Sequence, residues 1–285
     1  MAVWNLGSVN ADLVFQVPHL PVPGETLAAT GFSRGLGGKG ANMSVALSRA
    51  GSRVEHIGAV GEDGVWMKQR LRGYGVSVTH LAELDGPSGQ AVIELDAEGE
   101  NRIVILAGAN HQIDETALEG ILSGAAPGDW AIFQNETNGL RAFASAAKAQ
   151  GLKLAHAAAP FDAEAVAPLL PDLDLLVMNK VEAEQLAEAT GQPPEALPVA
   201  DVVITLGGDG ARWIHTDTGA VQDFAAPKVT PVDTTGAGDT FTGYLVAGLE
   251  QGMDMAAAIE LATRAAAVMV TRLGTADVIP RRDEL

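Results

Sequence analysis

A chain of 285 residues with 47% hydrophobic content is long enough to bury the core of one α/β domain, with or without an appendage. Its 36 acidic against 18 basic residues leave a net charge of -18, which repels nucleic-acid phosphates and anionic lipid, so a charged ligand must be held locally. The lack of cysteine excludes disulfides, thiolate catalysis and zinc–cysteine sites, and the six histidines are scattered without metal-ligand spacing.

The opening MAVWNLGSVNAD has neither a basic region nor a long apolar segment, and no apolar run approaches the ~18 residues of a membrane span; a cytoplasmic protein is expected. Val3 to Gly7 reads as an apolar strand followed by Asn10 and Asp12, polar groups at the end of a strand where open α/β sheets bind ligands. Leu13 to Val17 and Thr26 to Phe32 read as short strands around the turn Pro21-Val22-Pro23-Gly24, an antiparallel excursion before any helix. The run Gly35-Leu36-Gly37-Gly38-Lys39-Gly40-Ala41-Asn42 then leads into an amphipathic helix with Met43, Ala46, Leu47 and Ala50 on one face. Gly35, Gly37 and Gly40 fit the dinucleotide pattern G-x-G-x-x-G, but the strand before them is weak. A phosphate-binding P-loop is excluded, because Ser33 stands where it needs glycine and Gly40 where it needs Ser or Thr. What remains is a loop whose backbone can approach a ligand closely, with Lys39 and Asn42 as polar contacts.

His56 to Val60 reads as a strand, Asp63 to Tyr74 as a helix, and Val78 to Glu83, Gln90 to Asp96 and Arg102 to Leu106 as strands. The last two form a hairpin across Ala97-Glu98-Gly99-Glu100, a second antiparallel patch. With the first patch it makes a small sheet, too small to be stable alone and therefore packed on the site or on another subunit, a lid built from about 12–34 and 86–108. Beyond residue 110 strands alternate with helices: Trp130 to Gln134, Leu140 to Gln150, Leu152 to Ala157, Leu173 to Met178, Glu182 to Ala189 and Asp201 to Leu206. That alternation predicts a mostly parallel sheet covered on both faces, within a single domain over 1–285. Trp213 to His215 and Ala220 to Phe224 flank a turn, and helices at about Asp239 to Glu250 and Met255 to Thr271 close the chain.

The stretch Asp233-Thr234-Thr235-Gly236-Ala237-Gly238-Asp239-Thr240-Phe241 carries the chemistry. Gly236, Ala237 and Gly238 lie just before an apolar helical run, so their amides can converge into an anion site at a helix N-terminus. Asp239 beside them would repel a bound phosphate but could take a proton from a hydroxyl about to attack one. The combination points to phosphoryl transfer to an alcohol; the plainer reading is that Asp239 caps its helix. Asn179 and Glu182 likewise match a capping box, which does not exclude contact with metal or phosphate. Gly207-Gly208-Asp209-Gly210 forms a loop open enough for a flat ring to lie against backbone.

The pair Gly37-Gly38-Lys39-Gly40-Ala41-Asn42 and Asp233 to Phe241, about 195 residues apart, resembles the two signatures of the ribokinase-type (PfkB) carbohydrate kinases. Gly7 to Asp12, Pro23-Gly24-Glu25-Thr26, Ala107 to Asn110, Asn179-x-x-Glu182 and Ile204 to Gly207 resemble ribokinase segments in place, so the resemblance covers nearly the whole chain. It implies a three-layer α/β/α sandwich with a β lid, and ATP-dependent phosphorylation of a sugar's primary hydroxyl, foremost that of D-ribose. Deoxyribose, fructose, a keto-deoxy sugar acid or a nucleoside is the alternative acceptor, and a sensor without turnover is a third reading. In the resemblance Asp239 is the base, and Gly236, Ala237 and Gly238 form the anion hole for the γ-phosphoryl group. Asn10, Asp12, Gly38, Lys39, Asn42 and Glu136 bind the sugar. Asn179, Thr205, Gly207, Gly210 and Gly238 meet the nucleotide, and Glu182 helps hold magnesium through water. Asp233 and Thr235, with Met269, Arg272 and Gly274, form a site for a monovalent cation, potassium foremost; Val278 stands where a serine usually completes it, and Asp277 could compensate if turned inward. The resemblance also implies a homodimer paired through its lids.

Overall fold

In the computed structural model, which describes residues 1–285, two sheets divide the chain. The strands are β1 (Ala2–Leu6), β2 (Asn10–Gln16), β3 (Gly31–Gly37), β4 (Arg53–Val60), β5 (Ser77–Glu83), β6 (Gly89–Leu95), β7 (Asn101–Leu106), β8 (Trp130–Gln134), β9 (Lys153–Ala157), β10 (Leu175–Asn179), β11 (Asp201–Thr205), β12 (Ala211–His215) and β13 (Ala220–Phe224). The helices are α1 (Lys39–Arg49), α2 (Val65–Gly73), α3 (Leu118–Leu122), α4 (Leu140–Ala149), α5 (Ala163–Val166), α6 (Lys180–Thr190), α7 (Ala237–Glu250) and α8 (Met255–Met269). The large sheet has the order β13-β12-β11-β10-β9-β8-β1-β4-β5. It is parallel from β5 to β11, and β12 and β13 add an antiparallel edge.

Alternation along the strands gives the sheet two apolar faces, each with its own core. In β1, Val3 packs with Met43, Leu47, Tyr244 and Leu245 of α1 and α7, whereas Trp4 and Leu6 belong with Phe133, Phe143 and Leu186 on the other face. These are the three layers that the strand–helix alternation implies. No helix is long and apolar enough to cross a membrane.

The small sheet, order β3-β2-β6-β7, is the expected lid, with two differences from the sequence reading. The strand placed at Thr26 to Phe32 runs instead over Gly31–Gly37, into the glycine run. A Cβ at Gly37 would collide with the Asp12 carboxyl group, so glycine serves there to let β3 lie against β2. Only at Gly38, with φ 91°, does the backbone turn into α1. Nor is the lid wholly antiparallel: β2 pairs with β6 in parallel, because the chain passes through β4 and β5 of the large sheet before returning to it.

Candidate active site

Helices α1 and α7 approach closely because Gly243 faces Ala46 and the Met43 carbonyl oxygen, with no room for a side chain. One turn earlier on each helix, that approach brings Asn42 and Asp239 together, and Asn42 Nδ2 donates to Asp239 Oδ2 at 2.8 Å. Both residues are buried, and Asn42 Oδ1 is buried without a donor. Asp239 is not a cap: the N-cap of α7 is Gly236, in the left-handed region at φ 76°, and no side chain caps it. The amides of Gly236, Gly238 and Asp239 make no hydrogen bond within the protein, while that of Ala237 donates to the Thr234 carbonyl at 3.2 Å. Three free donors therefore sit at the positive end of a long helix.

The N-terminus of α1 closes the other side. Gly7 and Gly40 pack backbone to backbone, and a Cβ on either would overlap the other. Glu136, in the loop after β8, accepts from the Ser8 hydroxyl and from the Lys39 amide at 3.0 Å, and Gly40 N donates to Ser8 Oγ at 3.2 Å. From the lid, β2 contributes Asn10 and Asp12. Asn110 holds Asn10: its Nδ2 donates to Asn10 Oδ1 at 2.7 Å, and its Oδ1 accepts from Val9 N at 2.9 Å. Ser8 and Asn110 lie in two of the segments that resemble the family's. Their sequence signal is only that small or amide residue in a glycine-rich setting; the bonds they make span 128 and 101 residues of chain.

The carboxylates crowd one another. Burial, then Glu136 and Asp239, push the Asp12 carboxyl up to about 7. Burial also raises Asp239, opposed by the charge of Lys39 and the Asn42 hydrogen bond, and abetted by Glu136 and Glu182. Lys39 is raised above its ordinary value, chiefly by Asp239 and against its burial. One ammonium thus serves several acids, a cluster in which a proton is easily taken up at a carboxylate.

Beside α7 lies a groove of about 440 Å³ in which Thr205, Gly207, Gly210 and Gly238 meet Ala226, Pro227, Phe241, Ala266, Ala267 and Val270. An adjoining cleft shares Thr205 and Gly207 and is lined by Asn179. Asn179 and Glu182 form the capping box expected at the start of α6, with bonds of 2.9 and 2.8 Å. One oxygen of Glu182 remains outside that box. Its charge helps to raise both Lys39 and Asp239.

Asp233 joins two loops, accepting from Thr235 N at 2.9 Å and from Gly274 N at 3.1 Å. The Met269 side chain is turned to Thr240 and Gly236, and that of Arg272 to Glu284 and the Val278 carbonyl, so only their backbone could face a cation. Asp277 is not turned inward: its carboxylate meets Arg70 and Tyr74 at the surface. No group of three or more His, Asp or Glu is placed to hold a metal by itself.

The family model for pfkB family carbohydrate kinases matches residues 3–282. The chain is 34% identical to the ribokinase of Haemophilus influenzae, over 98% of this chain and 95% of that one. Its fold superposes on the ribokinase of Thermotoga maritima with a TM-score of 0.88 at 29% identity, covering 100% and 97% of the two chains. A ribokinase of Arabidopsis thaliana, solved with ribose and ATP, gives 0.86 at 27% identity, covering 99% and 97%. Signatures, fold and relatives agree over the full length, and the chain belongs to the pfkB family of carbohydrate kinases.

Proposed function

We propose that this kinase transfers the γ-phosphoryl group of ATP to the primary hydroxyl of D-ribose, giving ribose 5-phosphate, as one domain over residues 1–285 with the small sheet as its lid. The observation that carries the reading is Asn42. Its amide nitrogen fixes the carboxylate of Asp239, while its buried oxygen lacks the donor that a sugar hydroxyl would supply. The names of the relatives support ribose in particular.

Asn10, Asp12, Gly38, Asn42 and Glu136 would hold the sugar hydroxyls. A carboxylate or amide engages two hydroxyls, and a sugar lacking one leaves a buried group unpaired. Asp239 then accepts the proton of the attacking hydroxyl, its raised affinity for a proton suiting it to the task. The free amides of Gly236 and Gly238, with that of Asp239, face the charge that gathers on the transferring group. Lys39, drawn to Asp239, Glu136 and Glu182, offsets charge between donor and acceptor. ATP would lie in the groove, its adenine against Gly207 and Gly210. The second oxygen of Glu182, with Asn179, fits water-mediated contact to a magnesium ion, which neutralises phosphate charge when bound. Asp233 and the carbonyls of its two loops fit a monovalent cation, potassium foremost, with one hydroxyl fewer because of Val278.

The exposed apolar edge strand β7, with Ile103 49%, Val104 62%, Ile105 63% and Leu106 47% exposed, supports a homodimer paired through its lids. Dependence on ATP supports a cytoplasmic location. A coupled assay of ADP release over ribose, 2-deoxyribose, fructose, a keto-deoxy sugar acid and nucleosides tests the assignment. Ribose is expected to give the highest kcat/KM, and turnover of a nucleoside or ketose above that of ribose would replace the acceptor.

A further inference from the structure

Strand β2, which carries Asn10 and Asp12, has two neighbours in the lid, β3 and β6. One short stretch of the body, from Asp63 to Trp66, grips both. On the β6 side, Asp63 Oδ1 accepts from the amide of Ser88 at 2.8 Å and from its hydroxyl at 2.6 Å, and Asp63 Oδ2 accepts from Gln90 Nε2 at 3.2 Å. Ser88 is fully buried at the root of β6, and its hydroxyl oxygen also accepts from Gly61 N at 2.8 Å, just past the end of β4. The joint has no slack: a Cβ on Gly61 would strike the Gly86 carbonyl and the Ser88 amide, and one on Gly64 the Ser88 hydroxyl. On the β3 side, the Arg34 guanidinium lies over the Trp66 ring, 4.4 Å from its centroid, and Trp66 packs on the main core. Asp12 pairs with Gly35 on β3 and Ala91 on β6, so Arg34 and Gln90 each stand one residue from a partner of Asp12, and Ser88 three.

Asp63 does no local work that would explain these bonds. The N-cap of its own turn, Gly61, has no side-chain cap. We propose that Asp63 and Trp66 are positioning residues for the sugar: by clamping β6 and β3 to the body they fix β2 between them, and with it the carboxylate of Asp12 and the amide of Asn10. The proposal rests on the assignment of those two residues to the sugar. It predicts a dependence confined to the acceptor, because Asp239 and the groove belong to α7, α8, the β11–β12 loop and the segment between β13 and α7, none of which carries a residue of either grip.

Asp63 and Arg34 are exposed, so truncating either opens no cavity and the variants should fold. Asp63→Ala is expected to raise the KM for ribose about tenfold, the scale of lost charge-assisted hydrogen bonds, and Arg34→Ala about threefold. In both, kcat and the KM for ATP should stay within about twofold. Asp63→Asn, which keeps an acceptor for Ser88, should recover most of the loss. Hydrogen exchange of the unliganded protein gives a readout independent of any substrate: the double variant should exchange the amides of residues 10–16 about tenfold faster while those of α7 stay unchanged. Unchanged exchange in β2 overturns the proposal. Faster exchange with an unaltered KM for ribose, or an equal rise in the KM for ATP, overturns it too. If the wild type phosphorylates no sugar, the functional reading falls, and faster exchange in β2 alone would still uphold the clamp.

Discussion

On the sugar side of the site, Asn10, Asn42 and Asp239 are buried side chains, each tied to a residue on another element. On the nucleotide side the groove is walled by the backbone of Gly207 and Gly210 and by Ala226, Pro227, Ala266, Ala267 and Val270. The first surface reads a ligand hydroxyl by hydroxyl, and a missing group leaves a partner stranded. The second offers shape and apolar area, which accommodate a planar ring and depend little on any one side chain. Acceptor choice should therefore be sensitive to single polar substitutions, and nucleotide binding to bulk.

Asp239→Asn tests the comparison at its centre. It keeps the shape and the contact with Asn42 while removing the base, so kcat should fall by roughly 10² to 10⁴ with both KM values little changed. A kcat close to that of the wild type would remove Asp239 from the chemistry. Asn42→Ala should raise the KM for ribose about 10- to 100-fold through the loss of a buried polar contact, and leave the ATP affinity measured by calorimetry within about twofold. An equal loss of both ligands would erase the division between the two sides. The converse is Ala266→Leu, which adds bulk to the groove and should raise the KM for ATP about tenfold without moving that for ribose.

Much of this division was readable in the sequence, for reasons particular residues make plain. The large sheet showed itself because strands such as β1, β8, β10 and β11 are short, mainly apolar runs set off by turns. The catalytic loop showed itself because Gly236 to Asp239 are contiguous. The lid was less legible. Gly35 to Gly37 looks like a loop, and becomes the end of a strand only because β2 lies beside it and Asp12 needs the space above Gly37. Ser8 and Asn110 were missed as partners because their bonds reach across more than 100 residues to Glu136 and Val9. Spacing along the chain carries no trace of such contacts.

The crowding of acids predicts a smaller effect, again confined to the sugar side. Asp12 titrates near 7 in the folded protein, raised by burial, then Glu136 and Asp239, against about 4 when unfolded. The folded state therefore holds the proton more tightly, and stability from this group is lost as pH rises from about 4 to 7 and is level beyond. In the unliganded enzyme Asp12→Asn should flatten that part of the Tm profile, raising Tm by a few degrees near pH 7 relative to pH 5. Glu136→Gln should move the same window downward. A wild-type profile already flat across the window would show Asp12 ionised throughout.

The smallest effect is expected at the loops around Asp233, which edge the groove at Pro231 and Thr234 and end on the anion-binding turn. The Asp233 carboxylate is already engaged by the amides of Thr235 and Gly274, so any cation there depends on the surrounding carbonyl oxygens. Val278 supplies none from its side chain, which packs against Gly274, and its own carbonyl is taken by Arg272 at 3.2 Å. Asp277 cannot stand in, since Arg70 holds its carboxylate at 2.6 Å on the outer surface. A hard cation prefers oxygen, so potassium should activate weakly, by about twofold over sodium or a bulky organic cation at equal ionic strength. Val278→Ser adds a hydroxyl facing Gly274 and should strengthen that activation in kcat without altering the KM for ribose. Strong potassium-selective activation in the wild type, unimproved by Val278→Ser, would show that backbone oxygens alone complete the site.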